Sequence, residues 1–149
     1  MMKSISVVFP LYNEEKRLKK LFLEILNQKI FKKKNIEFIF VNDGSNDESF
    51  NLINKFKNKN KINIKLISYK QNRGKGYAIK KGVLLAKKKW VLTKDIDLSV
   101  KLNQIEIWRN RNYLFEEKDV YFGSRLLQNS KVSSKKYRAL TGKLFNIIL

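Results

Sequence analysis

The sequence predicts an α/β domain in which a mostly parallel sheet is flanked by helices. Three observations carry this. Short, β-branched apolar runs near residues 4–9, 36–41, 63–69 and 89–94 alternate with amphipathic stretches. The connections are short, as in strand–helix–strand units with right-handed crossovers. Polar clusters, "YNEE", "NDGSND", "NRGKG" and "KDID", follow the four strands in turn, and the carboxyl ends of such strands are where α/β sheets bind ligands.

The first run, "SISVVF", is nearly unbroken in apolarity, as a parallel strand covered on both faces would be. Pro10 is expected to end it. Residues 14–28 read as a helix, because Leu18, Leu21, Phe22, Ile25 and Leu26 recur at steps of three and four. "IEFIFVNDGSNDES" repeats the pattern, with a strand at 36–41 and a loop rich in Gly, Asn and Asp. Asp47 is placed to cap a second helix marked by Phe50, Leu52, Ile53 and Phe56. "NIKLISY" supplies the third strand. "NRGKGYAIKKGVLLA" supplies a glycine loop and a third helix carrying Tyr77, Ala78, Ile79, Val83 and Leu84. Residues 90–93 are the fourth strand. Further on, 102–108 reads as a helix, "DVYFGSRL" as a strand ending at Gly123 and Ser124, and "QNSKVSSKK" as a polar loop. Residues 137–149 form an amphipathic or buried helix. The chain stops inside that run with no cap, glycine or polar exit, so a C-terminal part is expected to be missing.

A length of 149 residues suits one domain, expected to span residues 1–149. With 43% hydrophobic and 12% aromatic residues, the 31% of charged residues does not make a disordered tail. The absence of cysteine and histidine excludes a disulfide framework, a zinc finger, a thiol nucleophile and a His-based triad. No run approaches the roughly 18 apolar residues of a membrane span, and the N-terminal apolar stretch is too short for a signal core. A cytoplasmic location is expected. The net charge of +20 points to a polyanionic partner. A surplus of Lys, Asn and Ile would also follow from AT-rich coding sequence. The lysines are smeared over "KRLKK", "FKKKN", "KNKNK" and "LAKKK", without arginine forks or a recognition module, which disfavours nucleic acid as the partner.

Asp95 and Asp97 interrupt an apolar run at the end of a strand. Two apart, they share a face if extended, and a tight turn also converges them. Carboxylates suit Mg²⁺ or Mn²⁺, which bind through one or two acids plus substrate phosphates. A loop Asp that bonds its own backbone is the plain alternative. Asp43 faces a similar choice between an Asx turn, served by Asn42 and Ser45, and a ribose or base contact beside Gly44. Arg73 and Lys75 stand at a helix start, either as phosphate partners or as solvated loop charges. The glycine spacing there fits neither the dinucleotide fingerprint nor the P-loop.

Taken in order, "VVFPLYNEE", "FIFVNDGSNDES", "NRGKGYAIKKGVLLAKKKWVLTKDIDLS" and "DVYFGSRL" resemble the inverting family-2 glycosyltransferases. The resemblance is strongest to the branch that moves glucose or mannose onto dolichyl or another polyprenyl phosphate. It implies a GT-A-like (Rossmann-like) nucleotide-sugar-binding half over residues 4–125 and a partial acceptor-side segment over 126–149. It implies that Pro10, Tyr12, Glu14 and Asp43 line the nucleotide pocket, with Lys75 near nucleotide and diphosphate; Arg73, beside it, is a further candidate from its charge and place alone. Asp95 matches the acid preceding the metal ligand, and Asp97 the ligand of Mg²⁺ or Mn²⁺. Ser124 and Arg125 match a strand-end "GSR" near phosphate or acceptor, so Asp95, Asp97 and Arg125 form the implied catalytic set. Lys94 and the Val100–Lys101 pair depart from the family pattern. The implied donor is UDP-glucose or GDP-mannose. The implied acceptor is a lipid phosphate, which places the protein peripherally on the cytoplasmic face of an anionic membrane.

An anionic phosphate acceptor attacks without a strong general base, so the lack of histidine is no obstacle. The rival readings are a non-catalytic remnant that only binds nucleotide or a partner, and a basic nucleic-acid module.

Overall fold

A computed structural model of the chain describes residues 4–28 and 35–110, all within one compact unit. Strands β1 (Ile5–Leu11), β2 (Ile36–Asp43), β3 (Ile64–Tyr69) and β4 (Trp90–Thr93) form one sheet in the order β3-β2-β1-β4. Every neighbouring pair is parallel. Helices α1 (Glu15–Asn27), α2 (Ser49–Lys59) and α3 (Lys75–Leu84) connect the strands, and α4 (Gln104–Asn110) follows β4. This is the helix-flanked parallel sheet that the alternating pattern predicts, and it is consistent with the GT-A-like (Rossmann-like) fold that the family resemblance implies. The strand expected in "DVYFGSRL", the loop after it and the helix at 137–149 lie outside the described residues.

Strand alternation sorts the helices between two faces. On one face Phe9 stacks on Phe38 and Phe40, with ring centroids 6.2 and 5.1 Å apart. Phe22 of α1 meets Phe40 edge-on at 6.4 Å and stacks on Phe56 of α2 at 4.0 Å. On the other face Val8, Ile39 and Val41 close on Ala78 of α3. The chain therefore steps outward from β1 to β2 to β3 over one face. It then returns over the opposite face to lay β4 on the far side of β1. The direction of winding reverses at β1, and such a switch point opens a crevice at the carboxyl ends of the two flanking strands.

Two details differ from expectation. Pro10 does not end β1, which continues to Leu11 in register with Asn42. The even-numbered residues of β1 turn their polar backbone toward β4, since Ser4 O accepts from Trp90 N and Val8 O accepts from Lys94 N. Pairing with β4 stops at Val8 and Thr93. The missing N–H of Pro10 thus falls where no ladder partner exists, and the strand tolerates it. The second difference is the buried face of α3. Val83 and Leu84 are 41% and 71% exposed, while Ala78 and Gly82 are buried. A Cβ on Gly82 would lie 2.3 Å from Val8 Cγ1, so close approach of the helix, rather than bulk, sets this packing.

At the amino-terminal edge of the sheet, Glu37 is only 1% exposed. Its Oε1 accepts from Ser6 Oγ at 2.7 Å and from the Lys87 N–H at 2.6 Å, and its Oε2 pairs with Lys65 Nζ at 2.8 Å. Ser6 Oγ in turn accepts from the Lys88 N–H at 3.1 Å. The carboxylate thereby fastens the α3–β4 connection to the sheet. Burial alone would raise its pKa, but the bonds from Lys65, Ser6 and Lys87 outweigh that and hold it below the ordinary value.

Because the folded pKa is depressed, this contribution is present above the unfolded pKa of about 4.3. It is lost as pH falls through the folded pKa. Glu37→Gln is expected to lower stability at pH 7 by about 2 kcal/mol, and the difference from wild type should shrink as pH falls below about 4. Urea denaturation at pH 7 and pH 3 measures both.

Candidate functional site

Because all four strands are parallel, the loops after them share one edge. The loops after β1 and β2 are clasped together. Asn13, in the left-handed region at φ 53°, donates its N–H to Ser45 Oγ at 2.9 Å, and its Oδ1 accepts from Asn46 N. Glu14 N donates to Ser49 Oγ at 2.9 Å, and Glu48 N donates to Glu15 Oε2 at 3.1 Å. Asp47 accepts from Ser49 N at the start of α2 and, through its other oxygen, from Glu15 N at the start of α1. It caps its own helix as the sequence suggests, and a second one besides. Burial raises the Asp47 carboxyl, and the bonds from Ser49 and Glu15 more than reverse that.

Asp43, 3% exposed, ends β2. The turn after it is made by Asn42, whose Oδ1 accepts from Ser45 N at 3.3 Å. Asp43 instead reaches across to the β3–α3 loop, where its Oδ1 accepts from Arg73 N at 2.8 Å. Gly44 permits this contact. Its φ is +71°, and a Cβ there would stand 2.7 Å from Asn72 N and 2.8 Å from Gln71 C. Beside Asp43 lies Tyr69, whose hydroxyl is buried without a well-formed hydrogen bond among the described residues. Burial and the neighbouring carboxylate push this phenol well above its ordinary pKa. Tyr69 and Tyr77 are aromatic neighbours that sequence periodicity offers only as packing residues.

At the switch point, Lys75 opens α3 and pairs with Asp95 Oδ1 at 2.7 Å; both side chains are more than half exposed. The N-cap position before it, Gly74, contributes no side-chain bond. Asp97 accepts from Ser99 N at 2.9 Å in a turn that places Leu98 at φ 57°. That bond is the main reason its carboxyl sits below the ordinary pKa; burial works the other way, and the Lys94 and Arg17 charges assist the lowering. Lys94 is partly buried, which lowers its pKa against the opposing pull of Glu24, Asp97 and Asp95.

Most of the sequence-predicted residues are therefore on one edge: Asp43, Arg73, Lys75, Asp95 and Asp97, with Tyr12 44% exposed at the mouth. Pro10 is buried in β1, and the Glu14 carboxylate is engaged by Arg17 at 2.7 and 3.0 Å. Ser124 and Arg125 lie outside the described residues.

The sequence pattern of "Glycosyl transferase family 2" matches residues 6–146. The chain belongs to glycosyl transferase family 2. Among its family-2 relatives, a dolichyl-phosphate beta-glucosyltransferase of Trichomonas vaginalis is 33% identical, covering 96% of this chain and 45% of its own length. One from Dictyostelium discoideum is 32% identical, covering 89% and 44%. The chain thus spans about half the length of these curated relatives. S. aureus TarS, also crystallised with UDP-GlcNAc, is 27% identical at a TM-score of 0.63, over 73% of this chain and 32% of the TarS chain without ligand. A Pyrobaculum calidifontis mannosyltransferase solved with GDP-Man and Mn²⁺ shares the fold, at 20% identity and a TM-score of 0.64 over 70% of this chain and 31% of its own.

Among the described residues, no three His, Cys, Asp or Glu side chains gather as a protein-only metal cage. An ion held by one or two carboxylates plus substrate phosphates needs no such cage. The exposed Asp95 and Asp97 fit that arrangement. A carboxylate offers about four lone-pair sites, so its bonding to Ser99 leaves Asp97 able to ligate.

Gly44→Ala is expected to push the β3–α3 loop off Asp43 and to cost about 1–3 kcal/mol. Urea unfolding measures the loss, and faster amide exchange at Arg73 locates it. Wild-type stability together with an equally protected Arg73 amide would show that the loop does not depend on this contact.

Proposed function

We propose that the chain binds a nucleotide sugar across the carboxyl edge of its sheet and transfers the hexose, with inversion, to a polyprenyl or dolichyl phosphate. The donor is UDP-glucose or GDP-mannose. The observation that carries this reading is the placement of Asp43, Lys75, Asp95 and Asp97 on one edge, around a switch point, in a family-2 chain. Its similarity to two dolichyl-phosphate beta-glucosyltransferases supports the lipid phosphate acceptor. The sheet measures roughly 14 Å from β3 to β4 at ordinary strand spacing. In this reading the base lies toward Asp43 and Tyr12, and the diphosphate toward Lys75, Asp95 and Asp97.

Breaking the bond from the anomeric carbon to the diphosphate builds negative charge on the leaving oxygens. Lys75, released from Asp95, meets that charge, and the N-terminus of α3 adds its dipole. A divalent ion, Mg²⁺ or Mn²⁺, would supply further charge stabilisation to the diphosphate. Asp97 would hold it directly. Its lowered pKa keeps the carboxylate ionised, as a metal ligand must be. Asp95 would support the nucleotide or the ion's water shell. The acceptor phosphate is already an anion, so the chain need only orient it for back-side attack. Arg125 is assigned to that phosphate or acceptor side.

Asp97→Asn is expected to weaken the Mn²⁺-dependent tightening of nucleoside-diphosphate binding by roughly tenfold or more, with the fold intact. Asp95→Asn should weaken it less. Calorimetric titration with and without Mn²⁺, beside circular dichroism, tests this. Full metal dependence in the Asp97 variant would reduce both acids to loop residues.

The proposal includes peripheral attachment to an anionic bilayer, supported by the net charge of +20. Among the described residues no helix is long and apolar enough to cross a membrane. The chain is expected to float with phosphatidylserine vesicles at low salt and to be released at high salt. Failure to float at low salt rejects the attachment.

A further inference from the structure

Arg73 is exposed at the β3 end of the site. An exposed arginine ordinarily samples many rotamers and loses that freedom when a ligand fixes it. Here the side chain is already held. Its Nη1 donates to Tyr77 Oη at 2.8 Å, and its guanidinium carbon stands 3.9 Å from the centroid of the same ring. Tyr77 is itself steadied by Tyr69, which meets it edge-to-face at 5.5 Å and 88°. The circuit closes through the backbone, because Arg73 N donates to Asp43 Oδ1. Asp43, Arg73, Tyr77 and Tyr69 are thus one connected group spanning β2, β3 and α3.

We propose that Tyr77 is a positioning residue. It holds the Arg73 guanidinium against its own ring before the nucleotide arrives, so the donors not used on the phenol meet acceptor oxygens of the nucleotide without further ordering. This rests on the nucleotide-sugar reading above and adds to it a residue with no assigned role. The planar fork matters. A guanidinium can lie on a ring and still present N–H groups along its free edge, whereas a lysine ammonium is a point charge on a flexible stem. Lys81 Nζ, 5.4 Å from the same centroid, adds a second cation to the ring's surroundings. Acceptor oxygens of the base and of the diphosphate share this chemistry, and the test separates them.

The test is calorimetry on the 149-residue chain with UDP, GDP and inorganic pyrophosphate, each with Mn²⁺. The variants are Tyr77→Phe, Tyr77→Leu, Arg73→Met and the Tyr77→Leu/Arg73→Met pair. Tyr77→Leu is expected to weaken the preferred nucleotide about tenfold. Tyr77→Phe, which keeps the ring against Tyr69, should weaken it about two- to threefold and guards against a leucine variant that folds poorly. The double variant should bind within about twofold of Arg73→Met alone, a coupling that a merely structural tyrosine would not produce. Equal coupling with pyrophosphate assigns the contact to the diphosphate, and coupling seen only with the nucleotide assigns it to the base. Additive losses, or unchanged binding in both Tyr77 variants, overturn the positioning role and leave the nucleotide reading intact. Wild-type chain that binds neither UDP nor GDP overturns both.

Discussion

β1 is hydrogen-bonded on both edges and covered on both faces, and the site exists because its two neighbours are reached over opposite faces. All seven of its residues are buried. Each apolar side chain of this kind contributes about 1.5–3 kcal/mol by leaving water, so the strand has little freedom to shift. β4 is shorter than β1 and stops at Thr93. The gap that opens beyond Val8 is where Pro10 sits, and it is also where the loops carrying Tyr12 and Asp95 face one another. A residue that cannot donate to a ladder lies where the ladder has no partner.

The acids of this strongly basic chain divide by environment rather than by type. Glu37 is buried at the amino-terminal edge with three donors, and losing it would take a partner from the Lys65 ammonium, the Ser6 hydroxyl and the Lys87 N–H. The Lys75–Asp95 pair at the opposite edge is more than half exposed on both sides. Pairs of that kind contribute about 0–1 kcal/mol, little enough for either partner to be given up to a phosphate or an ion. Buried acids hold the framework, while exposed ones remain available for exchange. Net charge alone makes no such distinction.

This difference also decides what was legible in the sequence. The strands were, because a parallel strand covered on both faces must be an apolar run; β4 falls at 90–93 as expected. The extension of β2 to Asp43 was not legible. Asn42 and Asp43 look like loop residues until Ser68 and the Arg73 N–H are placed beside them. Periodicity favoured Val83 and Leu84 as the buried face of α3, because it scores apolar bulk and cannot see that Val8 leaves room only for a glycine. The acids at the strand ends were legible as a cluster. Their partners were not, since Asp43 and Arg73 are separated by thirty positions and meet only through strand pairing. The two tyrosines were visible as residues, but their relation to Arg73 depends on the same pairing.

The two ends of the edge are built with different firmness. At the β1–β2 end, five hydrogen bonds join the described residues of the two loops, and Asp47 fastens the starts of two helices. Breaking such a cap costs about 1 kcal/mol for each helix, so these loops act as one body. At the β4 end, Leu98 occupies the left-handed region, which costs a residue with a Cβ roughly 1–2 kcal/mol. Leu98 is 9% exposed, and its burial offsets the strain only while the Asp97–Ser99 turn is kept. The Asp97 carboxylate is therefore tied to a backbone shape that its own bond to Ser99 maintains. A ligand drawing on that carboxylate acts on the turn as well, whereas one bonded to Asp43 meets a wall that is already fixed.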